Sequence, residues 1–294
     1  MKKTTLFAAC MAAVCALALV TGCSSETDEP DGIEYDAGEW LIEGRTVLRY
    51  TGTETDVQVP DGVTVIGKHA FESRTKVAHV TLPDSVAVIE DYAFSGCTGL
   101  ADVKLPESVA MIGWYAFQNC TSLADVQIPG GVETIGSSAF NGCSSLDTVT
   151  YQGDLAQWCA LDGGGDLMSS VERVTIGGEN LKDKTELVIP SGVTGIGSGA
   201  FRGCNSLTKV TIPEGVTEIG QYAFSSCSKL TTVAIPVSVT SIGYYAFNNC
   251  YKLTDVTYGG TQAQWDKIEK GSSIFPYSIS TITGKDREEI NVGD

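Results

Sequence analysis

The stretch LADVKLPESVAMIGWYAFQNCTS, Leu100 to Ser122, decides the architecture of this chain. Asp102-Val103-Lys104-Leu105 alternates polar and apolar residues, the period of a strand with one covered face. Pro106 has no N–H to give to a ladder and closes that strand. Val109 and Ile112 turn apolar groups inward again, and Gly113 permits a turn. Ala116 and Phe117 set a small residue beside a large one, suited to a tight corner with a single plug. Cys120 reads as a small buried apolar residue. Leu123 starts the next unit. No unit of this size can bury its own apolar side, so such units have to stack.

The pattern extends in both directions. The corner phenylalanines are Phe71, Phe94, Phe117, Phe140, Phe201, Phe224 and Phe247, spaced by 23 residues except for one gap of 61. A proline lies eleven residues before each of them, and a cysteine three residues after all but the first, where Arg74 stands instead. Equivalent strands of stacked turns then form a parallel ladder with a rise of about 4.8 Å per turn. The recurrent LxxVxIPxxVxxIGxxAFxxCxx string, at full strength in 100–122, 123–145, 207–229 and 230–252, resembles the leucine-rich repeats of the BspA-like class, the Treponema pallidum type. The resemblance covers roughly residues 39–285. It implies a mainly β repeat solenoid of leucine-rich-repeat type, right-handed, with one short parallel strand per turn of about 23 residues, short helical turns and caps.

Around the repeats the chain divides further. Residues 1–22 read as a lipoprotein signal peptide: Lys2 and Lys3, then an uncharged apolar run from Leu6 to Val20, shorter than the ~20 residues of a membrane span. The run ends in Leu19-Val20-Thr21-Gly22-Cys23, which resembles a bacterial lipobox and marks Cys23 for lipidation, with the membrane as a partner through that anchor. Residues 23–38 carry six acids and no base and read as an acidic flexible tether. Residues 39–55 form an N-terminal cap hairpin turning at Glu43-Gly44, with Trp40, Leu41, Val47, Leu48 and Tyr50 over the open core. A first array of four repeats follows at 56–146 and a second of three at 187–253. Between them, residues 147–186 form a Trp-containing connector, and residues 254–294 a C-terminal Trp-containing cap and tail. VTYQGDLAQWCAL (149–161) and VTYGGTQAQWDKI (256–268) are copies of one module. Asp154 and Thr261 sit three before Gln157 and Gln264, the spacing of a capping box on a short helix.

Composition removes several functions. The 294-residue chain carries 36 acids against 19 bases, a net charge of −17, so nucleic acid is not an expected partner. Two histidines leave little for a His-based metal site, and no HExxH, GxSxG or P-loop string occurs. The 23-residue cysteine spacing is the repeat period and not that of a zinc site, so the thiols are expected to be free and structural. Gly195-Ile-Gly-Ser-Gly199-Ala200 matches a dinucleotide fingerprint, but it aligns with Glu218-Ile-Gly-Gln-Tyr-Ala223 of the next repeat and reads as a repeat segment. No cofactor, metal or catalytic residue is expected.

Two surface rows remain. The outward strand positions, among them Asp102, Lys104, Asp125, Gln127, Lys209, Thr211 and Thr232, form a candidate binding face. Tyr92, Tyr115, Tyr222 and Tyr245, with Trp114 and Tyr244 beside them, form a candidate aromatic binding ladder. The alternative for that ladder is a cover over the phenylalanine corners. The expected role is a non-enzymatic, lipid-anchored protein at a bacterial surface or outer membrane. It would present its repeats to a host or other extracellular protein, the adhesive role that the resemblance implies. Glycan or nutrient capture through the aromatic ladder is the second expectation, and an enzyme acting on extracellular polymers the third.

Overall fold

The structure, a computed structural model, describes residues 35–36 and 38–292. Cys23 and most of the acidic tether lie outside the described residues. The body is a β solenoid. Each regular turn contributes a strand of three or four residues, such as Asp102–Lys104. It then contributes a second strand of two residues, such as Met111–Ile112, one more strand per turn than the sequence had suggested. The two strands build two parallel ladders that step by one repeat. Asp56 pairs with His79 and His79 with Asp102 on one side. Val65 pairs with Val88 and Val88 with Met111 on the other. The second strand was not legible because two residues cannot show a period. Its inward side chain, Ile112, is set by the turn at Pro106 and by the closeness of the next rung.

The corner explains the repeat. Within each array the Phe N–H donates to the carbonyl of the alanine in the next turn, Phe94 to Ala116 and Phe117 to Ala139 at 2.7 and 2.8 Å, and at the last corner Phe247 donates to Ile274 at 2.7 Å. The phenyl rings stack at 5.1 Å from Phe94 to Phe117 and again to Phe140. Phe201, Phe224, Phe247 and Phe275 continue the column in the second array. From the second corner of each array a thiol reaches back: Cys120 Sγ donates to the Phe94 carbonyl, Cys97 to that of Phe71 and Cys227 to that of Phe201. Arg74 takes the thiol position at the first corner, where no earlier phenylalanine carbonyl stands, whereas Cys204 keeps a buried thiol at the first corner of the second array. Each buried Phe contributes about 1.5–3 kcal/mol, so the column is a large share of the stability. The backbones approach closely here: a Cβ added at Gly220 would lie 2.7 Å from the Ile196 oxygen. Gly113 has the same role, its Cβ position 2.5 Å from the Asp91 nitrogen, and not that of a turn-former.

At the N-terminal end Trp40–Glu43 pairs antiparallel with Thr46–Tyr50 as a hairpin, and a further short strand, Tyr35–Asp36, pairs on it. Val47 and Tyr50 are buried, and Trp40 packs on Phe71. Leu41 and Leu48, placed over the core by sequence, point outward at 51% and 38% exposure. The alternation of a two-stranded ribbon sends neighbours to opposite faces, and only one face meets the solenoid.

The two arrays stack through the Trp connector into one hydrophobic core that runs from Ile42 to Val292. The helix Leu155–Ala160 is capped by the reciprocal Asp154–Gln157 box. Its Cys159 carbonyl takes the Gly197 N–H at 2.8 Å, and Asp162 pairs back on Ile135 at 2.8 Å. A second helix, Gly164–Ser170, fills the corner that a Phe would occupy. Gly165 and Gly199 meet backbone to backbone there, an added Cβ on either lying 2.6 Å from the other's Cα. The Trp158 indole N–H reaches across to the Ala200 carbonyl at 2.9 Å. The C-terminal copy has the same Thr261–Gln264 box and the same edge-on contact, Tyr258 with Trp265. There the buried Trp265 Nε1 has no acceptor among the described residues.

The two tryptophans are therefore expected to respond differently to truncation of the polar atom. Trp158→Phe leaves the Ala200 carbonyl without its donor and costs about 1–3 kcal/mol. Trp265→Phe removes a donor that had no partner and costs less. Urea unfolding of residues 24–294 carrying each change reads the difference.

Candidate functional site

The outward strand positions pair in register across neighbouring turns. His79 aligns with Asp102, and Thr81 with Lys104. Asp125 aligns with Thr148, and Gln127 with Thr150. Lys209 aligns with Thr232, and Thr211 with Ala234. Val103, Val126 and Val210, between these positions, are buried. Strand alternation thus turns the polar members outward and the valines into the core. The face is not one uninterrupted sheet. Its ladder breaks between Lys104 and Asp125, and again between the hairpin Arg173–Ile176/Glu179–Asn180 and Glu186. The polar members are short, and several bond to one another, as Gln152 Nε2 does to Gln127 and Thr175 to Thr150. Arg173, in register with Thr148, adds a cation to this face that the sequence reading did not include.

The aromatic ladder is differently built from the one expected. Tyr92 and Tyr115 stack at 5.0 Å, with His69 stacked on Tyr92 at the same distance. Tyr222 and Tyr245 stack at 5.1 Å, with Arg202 over the Tyr222 ring at 5.3 Å. The connector separates the two columns, since Ser138 and Gly199 take the equivalent corner positions beside the helix Gly164–Ser170. These ring faces are turned to one another, and the tyrosines are half-buried. All four tyrosines have φ between 57° and 60°, a left-handed backbone that bulky residues rarely adopt. The stacking turns the tyrosine rings over the corner, each against its neighbour. Trp114 and Tyr244 are the exposed members, at 53% and 55%.

No grouping of three or more His, Cys, Asp or Glu side chains fit to hold a metal occurs among the described residues. The described cysteines, Cys97, Cys120, Cys143, Cys159, Cys204, Cys227 and Cys250, are all free and buried. Burial pushes the thiols of Cys97, Cys159 and Cys204 up to about 12. In the Cys120–Cys143 pair the shared hydrogen bond and burial raise Cys120 above the usual thiol range. Such groups stay neutral and inert at physiological pH. Cys159, which lies off the corner series, is the last residue but one of the connector helix and serves by its carbonyl. No described helix is long and apolar enough to cross a membrane.

These thiols link stability to pH. A folded pKa of about 12 against an ordinary value of 9.0 means that the unfolded chain ionises first. The contribution is complete below pH 9 and falls as pH rises toward 12. Residues 24–294 are expected to lose stability across that window, and Cys97→Ala is expected to flatten the loss. A native sample is expected to leave its thiols unmodified by a disulfide reagent at pH 8, and a denatured one to react at all of them.

A family model described as the BspA type leucine-rich repeat region matches residues 44–159 and 179–285, in six copies. Among solved structures, the Treponema pallidum leucine-rich repeat protein is 28% identical over 79% of this chain and 92% of its own, with a TM-score of 0.39. A leucine-rich repeat protein from Bacteroides capillosus is 36% identical over 37% of this chain and 86% of its own, at 0.34. A leucine-rich cell surface protein from Faecalibacterium prausnitzii is 20% identical over 85% of this chain and 99% of its own, at 0.31. No curated protein matches the chain.

Proposed function

This chain belongs to the BspA-type leucine-rich repeat family, and from that premise we propose that it is an exported, lipid-anchored scaffold that binds an extracellular protein through its outward strand face. The observation that carries the reading is the strand face itself. Asp102 and Asp125, and Lys104 and Gln127, stand exposed one 23-residue repeat apart, with Lys209 exposed on the strand face of the second array, each beside a buried valine. Rigid polar rows of mixed charge suit recognition of a protein surface, where electrostatic complementarity selects the partner. Cys23 is the residue to be acylated, and the six acids of 24–38 hold the solenoid off the membrane. Acyl chains partition at about 0.8 kcal/mol per buried CH₂, so anchoring needs no helix. No reaction is assigned.

Glycan capture has weaker support, because the tyrosine faces are occupied by one another. Soluble residues 24–294 are expected to bind a panel of extracellular-matrix or epithelial proteins, and Lys104→Glu with Lys209→Glu to weaken that binding by about tenfold or more. Retention of full affinity in the double variant would move the site elsewhere. Trp114→Ala with Tyr244→Ala leaves protein binding intact; loss of polysaccharide binding in that variant would restore the glycan reading. Fatty-acid labelling in cells is expected to mark the wild type and to vanish in Cys23→Ala.

A further inference from the structure

The first strand position of the second ladder is occupied by Val65, Val88, Met111, Thr134, Glu218 and Ser241 in successive turns. At the junction it is Gly195. Neighbouring glycines have packing reasons to be glycine. A Cβ on Gly197 would lie 2.6 Å from the Leu161 oxygen, and one on Gly199 would meet Gly165 at 2.6 Å. Gly195 has none: the nearest atom to an added Cβ is that of Glu218 at 3.9 Å, and its backbone is not left-handed. The missing side chain leaves a space.

The rung beneath it is also split. Asp162 turns away to pair with Ile135, while Cys159, at the end of the connector helix, meets Gly197. Between them opens a groove of about 430 Å³, lined by Ala156, Ala160, Asp162, Thr194, Gly195 and Glu218 among others. In the regular turns the N–H groups at these two positions bond to the preceding turn. Ala110 and Met111 both donate to the Ala87 carbonyl, and Thr240 and Ser241 to that of Thr217. No bond of this kind to a preceding turn is made by the Thr194 and Gly195 N–H groups among the described residues. The groove's charged lining is Asp162 and Glu218, with no cation among the lining residues and Cys159 held as a neutral thiol.

We propose that this groove docks an extended peptide segment of a partner protein carrying a lysine or arginine. The peptide takes the place of the missing rung. Its backbone carbonyls accept the Thr194 and Gly195 N–H groups, as an added strand does at a sheet edge. Its cation lies between the Asp162 and Glu218 carboxylates, a charge-assisted contact that a neutral or acidic side chain cannot make. The groove is open at the floor because Gly195 carries no side chain. The site shares no residue with the outward strand face, so either can fail without the other.

The test uses soluble residues 24–294 and the blocked peptide Thr-Val-Lys-Val-Thr, with Thr-Val-Glu-Val-Thr as its control. Amide shifts in NMR titration read the binding. The lysine peptide is expected to shift the Thr194 and Gly195 amides saturably, and the glutamate peptide to bind at least about tenfold more weakly. Gly195→Val restores the side chain that other turns carry. It is expected to keep the melting temperature and to lower affinity for the lysine peptide by about tenfold or more. Asp162→Asn with Glu218→Gln leaves the groove open, and is expected to abolish the preference for lysine over glutamate. Absence of saturable shifts at those two amides, equal binding of both peptides, or undiminished binding in folded Gly195→Val would each overturn the proposal.

Discussion

The hydrogen bond from the corner Phe N–H to the alanine carbonyl of the next turn, made by Phe71, Phe94, Phe117, Phe201 and Phe224, holds neighbouring turns in register, and most of the remaining sequence serves it. The bond requires two backbones to pass close together. Alanine is small enough to stand at that crossing, and Gly220 leaves the approach clear where a Cβ would strike the previous turn. The phenyl ring then has nowhere to go but inward, onto the ring above it. The thiol three residues on reaches back to the preceding Phe carbonyl and satisfies its second lone pair. Alanine, phenylalanine, cysteine and glycine are one device, repeated because each copy completes its neighbour.

The device fails at any end, and the exceptions in the sequence are found there. Arg74 takes the thiol position at the first corner. The hairpin Trp40–Glu43/Thr46–Tyr50 covers the first corner with an aromatic ring in place of a repeat. At the connector a helix replaces the corner, and Trp158 supplies by its indole N–H the bond that a Phe backbone N–H supplies elsewhere: both donate to the following turn's alanine carbonyl. The same module at the C-terminal end has its box and its edge-on aromatic contact but no following alanine. The first copy of this module therefore joins two arrays, and the second terminates one.

Much of this was legible because a period of 23 fixes register without any knowledge of the partner. The inward and outward sets of Val103, Asp102 and Lys104, the buried thiols and the two capping boxes all follow from position in the repeat. What escaped notice lies where the period is silent. The two-residue strands are too short to alternate. The helix Gly164–Ser170 begins with two glycines, poor helix formers, and is held by packing against Gly199 and by the Asp166 carboxylate that takes the Ser138 N–H. Leu41 and Leu48 looked like core because they are apolar, but the ribbon has only one covered face. The tyrosine row was visible as spacing, whereas its φ values and its division into two stacked columns were not. The candidate binding face was legible as a set of positions and not as a surface, since the breaks in its ladder depend on how the connector folds.

Backbone bonds at Ile135 and Gly197 and the Trp158 indole bond carry the stack across the connector, where the Phe corner bond is replaced, and make one cooperative body of both arrays. Hydrogen exchange of residues 24–294 under native conditions tests it directly. The amides of Phe94, Phe117, Phe224 and Phe247 are expected to be among the slowest, with Ile135 and Gly197 on either side of the connector opening at the same free energy. Exchange at Ile135 and Gly197 orders of magnitude faster than at the four phenylalanines would contradict the account and leave two separate arrays joined by a loose strap.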